Sequence, residues 1–293
     1  MDRRKYAAAA IWSMAMLSLI LDSKTALSGA SEGVMLCLKV VIPSLFPMMV
    51  AATLLAGALP AQKLRLPFLQ DHEAPLMITG LLGGYPVGAA TVADAYKQRR
   101  LSKKSASRLL SFCNNAGPAF IFGMGMSLFD SPLPGLVSWV IQILSALAVA
   151  AVTPRTEDEA DSFCTTQTRE VIGGCVRKMG LVCGWVVIFR VILAFLQRWV
   201  LWSLPAAVVT MLTGILELTN GVCALTTIGD ERLRFLMFNA MLCFGGVCVH
   251  MQTVSVCEQL PTKTYLTGKL KQTGFALAMS AIAAILLYGG NCL

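Results

Sequence analysis

The chain has 293 residues, of which 56% are hydrophobic and only 14% charged, with a formal net charge of +8 and a mean hydropathy of +0.68. That balance is far from a soluble globular average and places the chain among polytopic membrane proteins, in a lipid bilayer. The basic residues lie between apolar stretches with no interleaved aromatic stripe, so they read as topogenic charge and exclude a nucleic-acid partner. The ten cysteines form no CxxC pair and no Cys/His ligand spacing. They read as small buried thiols, and neither a metal site nor a cofactor is expected.

The chain opens on Met1-Asp2-Arg3-Arg4-Lys5 and the apolar stretch 6–21, with small residues at Ala26–Ala30. This pattern fits either a signal peptide or a first membrane helix with a cytoplasmic start. The apolar remainder of the chain favours the helix. Further apolar segments fall at 33–59, 75–95, 106–128, 134–152, 175–200, 203–228, 233–257 and 272–290. Each is near the roughly 20 residues that a bilayer requires, so the simplest count is nine crossings.

The charges argue for fewer. If 75–95 and 203–228 are re-entrant hairpins and the N-terminus is cytoplasmic, the cytoplasmic loops collect Arg3, Arg4, Lys5, Lys63, Arg65, Lys97, Arg99, Arg100, Lys103, Lys104, Arg108, Arg155, Arg169, Arg177, Lys178, Lys263, Lys269 and Lys271. External segments keep only Lys24, Arg198, Arg232 and Arg234. That asymmetry is the positive-inside pattern. Lys39 and Arg190 stay inside spans, where they snorkel or face the bundle interior.

The expected fold is therefore an all-α membrane protein: a polytopic helical bundle with inverted repeats, two re-entrant helical hairpins and two broken transmembrane helices. Residues 1–32 form a first helix and an external loop. Residues 33–152 and 175–293 each run helix, hairpin, broken helix, helix, in opposite orientations. Residues 153–174, with Glu157, Asp158, Glu159 and Asp161, form a solvated cytoplasmic linker.

Four motifs interrupt the apolar segments. In Gly83-Gly84-Tyr85-Pro86-Val87-Gly88-Ala89, three glycines and a proline break any continuous helix. Broken backbone survives in a bilayer only where protein or a wet cavity satisfies it, so Gly83, Gly84, Tyr85, Pro86 and Gly88 read as a substrate site, with close glycine packing as the alternative. A helix starting after Pro86 presents N–H groups and a positive dipole end, which suits an anion.

In Cys113-Asn114-Asn115-Ala116-Gly117-Pro118, two adjacent amides beside an unwinding Gly-Pro are costly unless paired. One of Asn114 and Asn115 binds substrate while the other ties down backbone, or both cap a kink. In Glu217-Leu218-Thr219-Asn220-Gly221, Glu217 is an intramembrane carboxylate. It is a candidate to carry a coupling proton, hold a cation or accept from substrate, or else to pair internally with Arg190 or Lys39; Thr219 and Asn220 stand beside it. In Phe244 to Gln252, Gly245 and Gly246 break the helix, and His250 and Gln252 face the same cavity or pack. No nucleotide loop, catalytic triad or paired catalytic carboxylates occurs, so an enzyme is not expected.

Taken in order, Pro43-Ser44-Leu45-Phe46-Pro47, Gly84–Ala89, Cys113–Pro118, Glu217–Gly221 and Phe244–Gln252 resemble the family of the sporulation integral membrane protein YlbJ, within the nucleoside-recognition or Gate domain group. The resemblance runs from about Val34 to the C-terminus and is weakest in the central linker. It implies a fold similar to the transport domain of concentrative nucleoside transporters and the Gate regions of the FeoB iron transporter. It also implies a bacterial cell membrane location, including membranes around a forespore, a link to endospore formation, and movement of dipicolinate. Gate proteins of this type form multimers, so a homo-oligomer is among the implied states. The first motif lacks the carboxylate that nucleoside transporters carry there, which speaks against a nucleoside. The expectation is a transporter or facilitator of a small polar, anionic, dipicolinate-like solute coupled to H⁺ or Na⁺. A non-transporting sporulation scaffold and a nucleoside or ion gate are the alternatives.

Overall fold

A computed structural model describes residues 3–58, 68–70, 73–155 and 168–289. Among them there is no strand. The helices are α1 (Arg3–Leu21), α2 (Ser23–Leu36), α3 (Ile42–Ala58), α4 (Glu73–Gly83), α5 (Val87–Lys97), α6 (Lys103–Cys113), α7 (Pro118–Phe129), α8 (Pro132–Val152), α9 (Thr168–Trp199), α10 (Ala206–Leu216), α11 (Leu218–Ala224), α12 (Glu231–Phe244), α13 (Gly246–Val256) and α14 (Thr262–Tyr288). Five segments are long and apolar enough to cross a membrane: Ser23–Leu55, Pro132–Val152, Val171–Trp199, Glu231–Val256 and Thr262–Tyr288. The protein is thus an integral membrane protein with multiple apolar helices. Their outward faces carry large exposed hydrophobic side chains such as Leu144, Ile188, Ile285 and Leu286, as lipid contact requires.

Local chemistry sets most helix ends. Asp22, Ser102, Ser131 and Asp230 each cap a helix N-terminus by accepting from a backbone N–H two or three residues on. Gly245, at φ 87°, ends α12 in the left-handed conformation that glycine adopts freely. Between α2 and α3 the helix widens into a π-turn at Cys37–Val41, and Ile42 N–H reaches back to Cys37 O. Pro43 and Pro47 follow at once, and their missing N–H groups disfavour regular hydrogen bonding there.

Three expectations change. Residues 23–32, expected as external loop, belong to α2, with Asp22 as its N-cap. Gly29 and Gly33 lie one turn apart against the backbone of α9 at Val187, Arg190 and Val191, a small-residue seam that brings two helices close. Lys269, expected as a cytoplasmic loop charge, sits inside α14 and is fully buried; the helix begins at Thr262, ten residues before the expected span. Arg108, also expected in a basic loop, is buried in α6 and ion-paired with Glu73. Lys63, Arg65 and the linker acids Glu157, Asp158, Glu159 and Asp161 lie outside the described residues.

Helices α6 and α14 form the centre. Every residue of α6 from Ser105 to Cys113 is buried, and α14 turns Tyr265, Gly268, Lys269, Gln272 and Ala276 inward at helical spacing. Gly268 makes this possible: a side chain there would run into the backbone of Ser111 in α6. The close crossing carries Lys269 to the break that follows α6.

Candidate functional site

The four sequence breaks converge. Between α4 and α5, Gly84 takes φ 76°, Tyr85–Pro86 is cis, and Val87 N–H donates to Gly84 O at 2.7 Å. A side chain on Gly84 would meet the backbone of Gly117, so the turn rests directly on the break between α6 and α7. Gly80 and Gly88 close around the Cys113 carbonyl, and neither position has room for a Cβ.

Tyr85 reaches across to the third break. Its hydroxyl donates to Leu242 O at 2.9 Å, one turn before Gly245, whose missing side chain would fall on the Tyr85 ring. Gly246, at φ 77°, abuts the Gly214 carbonyl and the Leu218 N–H, which flank the break between α10 and α11.

At that fourth break Glu217 is extended, buried and the N-cap of α11. Its Oε1 accepts from Thr219 N–H at 3.1 Å, and Oε2 accepts from Asn220 N–H at 2.7 Å and Asn220 Nδ2 at 2.6 Å. All three contacts are donors, as an acceptor-only carboxylate needs. Among the described residues Glu217 has no ion-pair partner. Arg190 pairs with Glu32 instead, and Lys39 is exposed.

A cavity of about 50 Å³ lies where the breaks meet. Its walls include Tyr85, Ala116, Gly117, Glu217, Thr219, Val249 and Gln252, with Val182 and Val186 of α9 and Val41 and Leu45 opposite. It therefore joins one residue or more from each motif. Thr219 and Gln252 line it directly, and Gln252 Nε2 also donates to Cys248 Sγ at 3.3 Å. Gly83, Pro86, Gly88, Gly245 and Gly246 shape the surrounding backbone without lining it. Asn220 is half-buried and occupied by Glu217.

Asn114, Asn115 and His250 do not line the cavity. Asn114 Oδ1 accepts from Ala89 N–H at 3.3 Å, and Nδ2 donates to Thr253 Oγ1 at 2.8 Å. Asn115 donates to Phe112 O at 2.7 Å and accepts from Gln272 Nε2 at 2.7 Å. Both amides are spent on protein. His250 Nδ1 meets Tyr265 OH at 2.9 Å, while Nε2 has no hydrogen-bond partner. The first-turn N–H groups of α5 at Val87 and Ala89 are likewise taken, so they are not free for a solute.

The chain is similar to the sporulation integral membrane protein YlbJ of Bacillus subtilis (strain 168). The two are 21% identical over 316 aligned positions, covering 88% of this chain and 78% of YlbJ. No protein-family model matches, and no solved structure does.

Behind the cavity runs a buried polar network, much of which the sequence reading missed. Lys269 Nζ donates to Asn114 O at 2.8 Å and to Gln272 Oε1 at 2.7 Å, and stands 5.1 Å from the centre of the Tyr85 ring. Gln142 of α8 grips Ala116 on both sides, donating to its carbonyl at 2.8 Å and accepting from its N–H at 3.3 Å. The unwound backbone between α6 and α7 is satisfied in this way by side chains from two other helices. A signal was present in the periodic set Tyr265, Gly268, Lys269, Gln272, but all of it except Gln272 lay outside the span assigned to 272–290.

Proposed function

We propose that this protein is a membrane transporter or facilitator of a small polar, anionic solute, and not an enzyme. The observation that carries the reading is the meeting of four backbone breaks around one cavity, with side chains from all four motifs in its wall or at its rim. Interrupted helices facing each other across a polar centre are the usual way in which membrane transporters build solute sites.

In this reading α4–α5 and α10–α11 are re-entrant hairpins, and the halves 33–152 and 175–293 are inverted repeats. The repeated order supports it: α3 and α9 lead, the two hairpins follow, then the broken pairs α6–α7 and α12–α13, then α8 and α14. The N-terminus is cytoplasmic, and the chain works in a bacterial cell membrane, including one around a forespore. The similar Bacillus subtilis protein is a sporulation integral membrane protein by name, which supports a sporulation role.

A cavity of about 50 Å³ has room for a water or a small ion, not for an aromatic dicarboxylate. In this reading passage of a solute of that size requires the hairpins to part. Glu217, with its carboxylate at the cavity wall, is the candidate for coupling to H⁺ or Na⁺.

The test is flux in proteoliposomes against pyridine-2,6-dicarboxylate, a nucleoside and a neutral amide, with and without Na⁺ and pH gradients. Saturable movement of the dicarboxylate is expected. Movement of nucleoside alone would favour the nucleoside gate. Absence of any flux, with normal folding, would favour a scaffold.

A further inference from the structure

Among the residues that line the cavity none is positively charged. Glu217 is the charged group there, and it is negative. At the start of α5 the Val87 and Ala89 N–H groups are engaged by Gly84 and Asn114. The positive charge stands one layer behind.

Lys269 is fully buried. Its ammonium has three donors, and its neighbours offer three acceptors: the Asn114 carbonyl, the Gln272 amide oxygen and the face of the Tyr85 ring. None of these groups points a donor at it, so the surroundings fit the protonated side chain. Among the described residues no carboxylate lies within ion-pairing distance of it. A buried charge without a counter-charge is unfavourable, and its field is weakly screened. Glu217 does not pair with it: that carboxylate accepts from Thr219 N–H, Asn220 N–H and the Asn220 side-chain amide.

We propose that Lys269 is the residue that makes the cavity select anions, acting across the Tyr85 ring. This inference rests on the transport reading above. Lys269 does not touch the solute; it is a positioning residue for charge. Tyr85 meets Lys269 with its ring and is itself a residue of the cavity wall. An anion arriving in the cavity supplies the missing counter-charge. At the weak screening of a protein interior, one unit charge a few ångströms beyond an aromatic ring is worth roughly tenfold or more in affinity. A neutral solute of the same shape gains none of this.

The experiment compares flux of pyridine-2,6-dicarboxylate with that of its uncharged diamide in proteoliposomes. The proteins are wild type, Lys269→Gln and Gln272→Glu. Lys269→Gln removes the charge and keeps a donor. Gln272→Glu keeps the volume and sets a carboxylate on the ammonium, neutralising it in place, at the cost of the Nε2 hydrogen bond to Asn115 Oδ1, a loss that falls on diamide and dicarboxylate flux alike. The expected result is a dicarboxylate-to-diamide ratio at least tenfold lower in both variants, with diamide flux retained. An unchanged ratio in Gln272→Glu, whose shape is preserved, would overturn the inference while leaving transport intact. A wild type that moves neither solute would overturn the transport reading and this inference together.

Discussion

Arg108→Met is expected to be among the most damaging single substitutions in the molecule. Arg108 is 3% exposed and Glu73 is fully buried; the two are ion-paired at the base of the first helix pair. The guanidinium also donates to Pro154 O at 2.9 Å, Ala150 O at 3.0 Å and Phe68 O at 3.2 Å, so one side chain ties α4, α6 and the end of α8. Removing it strands a buried carboxylate, a loss of about 3–5 kcal/mol. The buried Ala150 carbonyl adds about 1 kcal/mol, while Pro154 and Phe68 can turn to water. The total of about 5 kcal/mol corresponds to a fall of roughly 8 °C in the unfolding midpoint of a chain of this size. Glu73→Gln keeps an acceptor and leaves the arginine its three carbonyls, so it should lose less, about 2–3 kcal/mol. The double variant should be about 2–3 kcal/mol more stable than the two losses added together. The assay is the monodisperse fraction remaining after heating in detergent, read by size-exclusion chromatography. A midpoint shift below about 3 °C for Arg108→Met, or strict additivity in the double variant, would refute the argument.

Gly80→Ala and Gly88→Ala should each prevent accumulation of folded protein, because both positions press on the Cys113 carbonyl with no space for a Cβ; normal expression of either would contradict the packing. Tyr85→Phe removes a buried 2.9 Å bond to Leu242 O and should cost about 1–3 kcal/mol in the same heating assay. In detergent at neutral pH, maleimide should label exposed Cys223 well before Cys257, which is buried and whose thiol burial pushes up to about 12. The nucleophilic thiolate of Cys257 is then scarce until the pH approaches that value, so its labelling should rise with pH; equal rates at neutral pH would contradict this. Glu217→Gln should abolish any dependence of flux on a pH or Na⁺ gradient; unchanged coupling would remove Glu217 from that role.

The breaks were legible because glycine and proline inside apolar stretches have few other uses. Gly84, Gly245 and Gly246 adopt the left-handed backbone that their residue type allows, and Glu217 starts a short helix as an acidic N-cap. The partners of those breaks were not legible. Gln142 and Gln272 satisfy the Asn115–Ala116 segment from 26 and 157 residues away, a pairing that local pattern does not encode. Lys269 and Arg108 misled for a related reason. Basic residues near the ends of apolar runs read as topogenic charge, and only the crossing of α6 and α14 at Gly268 reveals that one of them is interior. The expected roles of Asn114 and Asn115 are to bind substrate or to tie down the break; the bonds they make are to Ala89, Thr253, Phe112 and Gln272, which join the break to its neighbours.

The central claim is that solute passes through the cavity bounded by the four breaks. The most direct measurement is pyridine-2,6-dicarboxylate flux in proteoliposomes for wild type and for Thr219→Phe, whose ring would fill a cavity of about 50 Å³ from its wall. The account predicts saturable flux in the wild type and its loss in a Thr219→Phe protein that remains monodisperse. Equal flux through both proteins would contradict it.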